Sequence, residues 1–169
     1  MATADTVDLG PAHPPKGAAI SAFKELFVRP ETDSEDITKT PYLPDVLLHK
    51  YNADEKHNTS YFHVLREHDL TAHDLIESIK PADDDETCAH FEEVRVAPTP
   101  YGIILFGKVK IPALPEDGPC YLHVRFFEPE PGTKRPAELH SIRTDSPEEN
   151  DGSWEAIFPK ERKLEWFDH

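Results

Sequence analysis

From Cys88 to Phe158 the chain reads as a succession of strand-like segments separated by turn residues, closed by Asp151-Gly152-Ser153-Trp154. Helical patterns precede that run. Helices first, then a long antiparallel meander, is the order expected of one curved sheet folded against a helical layer, because each layer has an apolar face that the other covers. Ala89 to Val96 and Ile103 to Ile111 flank Pro98-Thr99-Pro100-Tyr101-Gly102, a hairpin loop whose glycine can take a positive φ. Tyr121 to Glu128 follows a proline-rich connection. Glu138 to Thr144 and Trp154 to Phe158 form the last pair. The 17 prolines fall mostly between these segments, where a missing N–H removes no ladder hydrogen bond.

Ahead of the strands, residues 1–17 hold Pro11, Pro14 and Pro15 and little that packs, which reads as a disordered arm. From Gly17 to Val28, Ala19, Ile20, Phe23, Leu26 and Phe27 recur at three- and four-residue steps, one face of a helix ended by Pro30. Residues 30–44 read as a connecting loop or a broken short helix. Asp45 to Tyr51 reads as a short strand with Val46 and Leu48 on one side, and Tyr61 to Leu65 fits either strand or helix. Thr71 to Lys80 is a clearer helix. Thr71 and Asp74 make a capping-box pair, Pro81 stops the helix, and Ala72, Leu75, Ile76 and Ile79 form its buried face. The expected organisation is an arm (1–17), one α+β domain (18–159) and a charged tail (160–169) whose Trp166 and Phe167 are suited to covering a pocket mouth or a neighbour.

Strand parity sorts the side chains. Cys120, Leu122, Val124 and Phe126 share one face, with Tyr121, His123, Arg125 and Phe127 on the other. Ile103, Leu105, Val109 and Ile111 align, with Ile104, Phe106, Lys108 and Lys110 opposite. One face is dry, for helices; the other mixes aromatics with charges and suits a dimer partner.

Charge excludes several classes of function. With 33 acids against 18 lysines and arginines, the net charge is −15. Such a surface repels phosphate, so the reading is no nucleic acid and no anionic membrane, while a basic partner or cationic ligand stays compatible. The acidic runs Asp83-Asp84-Asp85-Glu86 and Glu148-Glu149-Asn150-Asp151 lack the spacing of a calcium loop and read as solvated loops. Two cysteines without a Cys-x-x-Cys motif, and no secretory signal before residue 20, read as a reduced, cytoplasmic protein. Apolar runs such as Gly102 to Phe106 are far too short to span a bilayer.

The order helix, loop, short strand, helix, hairpin, strand and final hairpin bearing Asp-Gly-x-Trp resembles the nuclear-transport-factor-two-like superfamily, including its SnoaL-like branch. The resemblance covers about Gly17 to Phe158. It rests on Phe91-Glu92-Glu93-Val94-Arg95-Val96, Ile103-Ile104-Leu105-Phe106-Gly107-Lys108-Val109 and Asp151-Gly152-Ser153-Trp154. It implies a cone-shaped α+β barrel, a curved, mainly antiparallel sheet wrapped around N-terminal helices, commonly a homodimer through the sheet with a pocket between sheet and helices. Some members are cofactor-free isomerases, cyclases or dehydratases; others only bind proteins. The chain departs from that pattern between Pro30 and Pro44, and in its tail beyond Phe158.

Ten histidines are the chemical resource, each able to exchange a proton near neutral pH. His90, His123 and His140 lie on strands, where a curved sheet can bring two of them to one cavity. Glu92 shares parity with His90, Tyr121 with His123 and Glu138 with His140. The expected catalytic set is His90, His123 and His140, with Tyr121 and Glu92 as orienters and Phe23, Phe27, Leu122, Val124 and Phe126 as apolar lining. The plainer reading of each histidine is a half-exposed side chain on a sheet. His63, His68 and His73 recur at a spacing that matches no single face, so no shared metal is expected. Cys88-x-His90 and Cys120-x-x-His123 could supply four zinc ligands across adjacent strands, but they lack the tight turns of structural zinc sites. Ser141 and His140 point to opposite faces, and no Gly-x-Ser-x-Gly, P-loop or dinucleotide fingerprint occurs. The first reading is therefore a cofactor-free acid–base isomerase, cyclase or dehydratase acting on an apolar, polyketide- or terpenoid-like molecule. The alternative is a non-catalytic ligand-binding or protein-interaction module that uses the sheet face.

Overall fold

Spacing of apolar residues sets the helices, and the computed structural model describes residues 9–27, 42–56, 59–81, 88, 90–130, 132, 135–148, 152 and 154–167. Helix α1 (Gly17–Glu25) buries Ala19, Ala22 and Phe23. Helix α2 (Leu43–Lys56) occupies the stretch whose alternating Val46 and Leu48 suggest a strand. The apolar step of four residues decides it: Leu43 and Leu47 are buried, Tyr51 packs beside them, and Leu48 is 44% exposed. Pro44 sits in the first turn, where its missing N–H has no intrahelical partner to lose.

Helix α3 (His63–Glu67) settles the ambiguity at Tyr61 to Leu65 as helix, with Val64 and Leu65 buried. Asp54, 1% exposed, ties α2 to α3. Its carboxylate accepts from Phe62 N at 2.9 Å, Thr59 Oγ1 at 2.9 Å and Arg66 Nη1 at 3.2 Å. Helix α4 (Ala72–Ile79) has the expected capping box between Thr71 and Asp74 and buries Ala72, Leu75, Ile76 and Ile79.

The strands are β1 (Phe91–Thr99), β2 (Gly102–Lys110), β3 (Tyr121–Pro129) and β4 (Glu138–Ile142), forming one antiparallel sheet in the order β1-β2-β3-β4. The fold is α+β. The sheet is open: β1 and β4 are not paired to each other among the described residues. The β1–β2 hairpin turns at Pro100 and Tyr101, and Gly102 has φ 150°. A Cβ there would lie 2.3 Å from Glu128 O, so the position admits only glycine without rearrangement.

Trp154 to Phe158 is not a full strand. It touches the sheet through one isolated bridge, Tyr121 to Phe158, and pairs beyond β4 through another, Asp145 to Glu155, while Ala156, Ile157 and Phe158 are fully buried. Asp151 and Ser153 of the turn signature lie outside the described residues, as do Asp83-Asp84-Asp85-Glu86 and most of the 30–44 connection; Gly152 has a turn glycine's φ of 89°. Part of the expected N-terminal arm is ordered along the edge of β1, where His13 N donates to Val94 O at 3.0 Å and Gly10 N to Val96 O at 2.9 Å.

The main core lies between the helices and the dry face. Phe23 reaches across to Phe91 (4.8 Å between ring centroids) and Phe126 (6.3 Å). A second, smaller core lies on the opposite face, where Ala97, Ile104 and Phe106 meet Leu164 and Phe167. No helix among the described residues is long and apolar enough to cross a membrane.

Candidate functional site

The two sheet faces place the expected site residues apart. His90 lies just before β1 on the helical side, beside Phe23, Ile79, Pro81, Cys88 and Phe91, in a depression with no room for a water molecule. Cys88 there is buried and has a positive φ of 46°, an uncommon conformation for a residue with a Cβ. Phe23, Phe126, Leu122 and Val124 are buried in the main core, with Phe27 packed against it. Phe23 and Phe27 stand edge to face at 5.3 Å. Among the described residues, the side chains expected to line a pocket belong to the main core between sheet and helices.

His123 and His140 belong to the other face. His123 is 0% exposed, its ring 5.0 Å from that of Phe158, and neither ring nitrogen has a hydrogen-bond partner among the described residues. Burial, then the nearby Arg143, Lys108 and Arg162, pushes its pKa down to about 3, so the ring is neutral at physiological pH. Arg143 and Arg162 both lie over the Phe158 ring, at 5.2 and 5.1 Å, and both pair with the Asp145 carboxylate. His140 stacks on Phe127 and accepts from Arg125 Nε at 3.3 Å through Nδ1. Partial desolvation and then the Arg125 charge lower its pKa.

Tyr121 and Glu92 do come together: the phenol donates to Glu92 Oε2 at 3.0 Å across the end of the sheet. Burial first, then this bond, raises the tyrosine pKa and keeps the phenol protonated. Among the described residues no three histidine, cysteine or acidic side chains cluster as metal ligands.

The mixed face carries a different arrangement, absent from the expected set. The chain's own C-terminal segment, residues 159–167, lies across β1, β2 and β3, held by basic side chains that grip its backbone. Arg95 Nη1 donates to Leu164 O at 2.8 Å, and Arg125 Nη1 to Phe167 O at 3.0 Å. Lys108 Nζ donates to the carbonyls of Lys160 and Arg162. Register explains the alignment: Arg95 faces Phe106 and Phe106 faces Arg125 across three adjacent strands, with Lys108 two residues along β2.

Phe106 is the anchor point, 5.1 Å from Trp166 and 5.3 Å from Phe167, with the Arg125 guanidinium 5.0 Å from the Trp166 ring. Among the described residues neither Arg95 nor Lys108 is ion-paired with a carboxylate; carbonyls satisfy them instead. Parity alone puts Lys108, Phe106 and Arg125 on one face, but nothing in their spacing names what lies on them. No protein-family model, no curated protein and no solved structure matches this chain.

Proposed function

We propose that this chain is a non-catalytic protein-interaction module whose mixed sheet face receives a polypeptide segment through its backbone. The grip of Arg95, Lys108 and Arg125 on four backbone carbonyls of residues 159–167 carries this reading. Backbone carbonyls are common to every peptide, so the contact recognises main chain rather than this one sequence, here a turn over residues 159–162 followed by open chain to Phe167, and Phe106 adds an aromatic anchor. The separation of His90 from His123 and His140 on opposite faces supports a binding role over acid–base chemistry, as does the place of Phe23 and Phe126 in the main core.

One observation favours the cofactor-free enzyme of the SnoaL-like kind: the protonated Tyr121 phenol held by Glu92. On that reading Tyr121 is a general acid at the sheet end, and apolar ketones would bind there and protect Tyr121 from modification by tetranitromethane.

The binding role is tested with the full chain carrying Trp166→Ala and Phe167→Ala, which loosens the segment from Phe106. A fluorescein-labelled peptide spanning residues 159–167 should bind this variant by anisotropy, and adding Arg125→Gln should weaken binding about tenfold or more. No binding to a variant that keeps its near-ultraviolet circular dichroism would refute the reading.

A further inference from the structure

Past Phe158 the chain is held in a different way from the strands it covers. Phe158 itself is zipped to β3: Phe158 N donates to Tyr121 O at 2.8 Å and Tyr121 N to Phe158 O at 3.0 Å. Beyond it, side chains of the sheet hold the segment by its backbone. Its first turn, closed by Arg162 N donating to Pro159 O at 3.1 Å, is seated by Lys108 Nζ on the carbonyls of Lys160 and Arg162. His123 stands directly opposite Lys108 in the β2–β3 register, and its ring lies 5.0 Å from that of Phe158. Two neighbours of a fully buried imidazole therefore anchor the turn. Neither ring nitrogen has a partner among the described residues, so a proton added to the ring meets no acceptor there.

The charges around that ring oppose a proton on it. Lys108 faces it from β2, Arg162 from the turn, and Arg143 from beyond β4, where Arg143 N donates to His123 O at 2.8 Å. Asp145, the carboxylate bonded among them, pairs with both Arg143 and Arg162. Glu155, bridged to Asp145, contacts His63 at 3.5 Å. Glu93 sits opposite Lys108 on β1, Arg125 lies two residues along β3, and Tyr121, two residues the other way, donates to Glu92. Lys108 and Arg143 belong to the sheet and stay with it; Arg162 and the two carbonyls move with the turn. Lifting the turn is the smallest movement that admits water to a charged His123 and takes a cation away while the sheet stays paired.

We propose that residues 159–167 form an acid-released latch, closed over His123 while its ring is neutral and opened, with the sheet still folded, when the ring takes a proton. The latch goes beyond the sheet-face reading and does not depend on it, since it concerns only the chain's own segment. The closed form holds the ring's pKa down to about 3, through burial first and then the three cations. Water reaches the ring in the opened form, which returns it toward 6.5. The opened form then binds more protons below that value, so opening is favoured as pH falls. A full return raises the open-to-closed ratio about tenfold between about pH 7.5 and about pH 5.5. His140, exposed and accepting from Arg125 Nε through Nδ1, loses that role on protonation and acts in the same direction with a smaller share.

A thiol in place of a buried latch side chain reads the opening. Leu164 is 2% exposed, and Leu164→Cys is made in the full chain. Its rate of reaction with a pyridyl disulfide is divided by that of a peptide of residues 159–167 carrying the same substitution at the same pH. Cys88 and Cys120, buried in the main core, report global unfolding in the same samples. The normalised rate should rise about tenfold from about pH 7.5 to about pH 5.5 while both core thiols stay unreacted. Adding His123→Leu should cut that rise to about twofold or less, and His123→Met should do the same through a second neutral side chain. His140→Gln, which keeps an amide acceptor, should remove only the smaller part. A rise that survives loss of the His123 ring in a chain with native near-ultraviolet circular dichroism would overturn the proposal. So would no rise in the chain with both histidines, or core thiols reacting in step with the introduced one.

Discussion

Acidification should destabilise this protein through His123, and replacing that residue should abolish the effect. The ring is 0% exposed and lies among Arg143, Lys108 and Arg162, which with burial take its pKa from 6.5 to about 3. The fold therefore holds the neutral ring. As pH falls below 6.5 the unfolded chain takes up a proton that the folded chain refuses until about pH 3. The unfolded state then binds more protons, so stability falls with pH in that window and is unaffected above it. Each pH unit inside the window is worth about 1.4 kcal/mol, so His123 should remove about 2 kcal/mol between pH 7 and pH 5. His123→Leu keeps the bulk and leaves no buried nitrogen without a partner; at pH 7.5 it should be neutral or stabilising by about 1 kcal/mol. Urea unfolding of both proteins, followed by the fluorescence of Trp154 and Trp166, gives the two stabilities at each pH. Glu128 and Glu155, raised chiefly by burial, act with the opposite sign and cancel in the difference between the proteins. If that difference stays constant within about 0.5 kcal/mol from pH 7 to 5, the account of His123 as a buried neutral ring is wrong.

Other perturbations have expected outcomes of similar clarity. Asp54→Ala strips three donors of their acceptor between α2 and α3 and should cost about 2–4 kcal/mol in chemical denaturation, with Asp54→Asn recovering part of it. Gly102→Ala forces a Cβ against Glu128 O at a positive φ and should lower stability by about 1–3 kcal/mol; a variant as stable as the parent would show that the hairpin relaxes freely. Phe106→Ala removes the anchor shared by Trp166 and Phe167, so amides of residues 160–167 should exchange with solvent much faster while those of α4 keep their protection. Tyr121→Phe deletes one partly buried hydrogen bond and should change stability by about 1 kcal/mol or less, read from the thermal midpoint.

Local chemistry was legible where a few neighbouring residues decide the outcome. The Thr71–Asp74 capping box, the glycine after Tyr101 and the alternation along β2 and β3 are short-range features, and each appears in its expected place. Asp45 to Tyr51 reads as a strand because Val46 and Leu48 satisfy a two-residue period locally, whereas burial along the helix follows Leu43, Leu47 and Tyr51. That choice is made by what α2 packs against, including α4, which lies beyond the segment itself. The candidate site was legible in pieces only. Tyr121 and Glu92 bond to each other although parity assigns one to His123 and the other to His90, and His90 is divided from His123 and His140 by the thickness of the sheet.

The sequence alone determined that the sheet has a dry face and a mixed face, because side-chain alternation is a property of the extended backbone itself. It did not determine what covers the mixed face. Arg95 and Leu164, Lys108 and Arg162, and Arg125 and Phe167 are far apart in the chain and meet only when the segment after Phe158 folds back over β1, β2 and β3. Hydrogen bonds to backbone carbonyls leave no mark in the identities of the residues that accept them. The tertiary structure therefore decided that the face expected to await a dimer partner is occupied by the protein's own C-terminal segment.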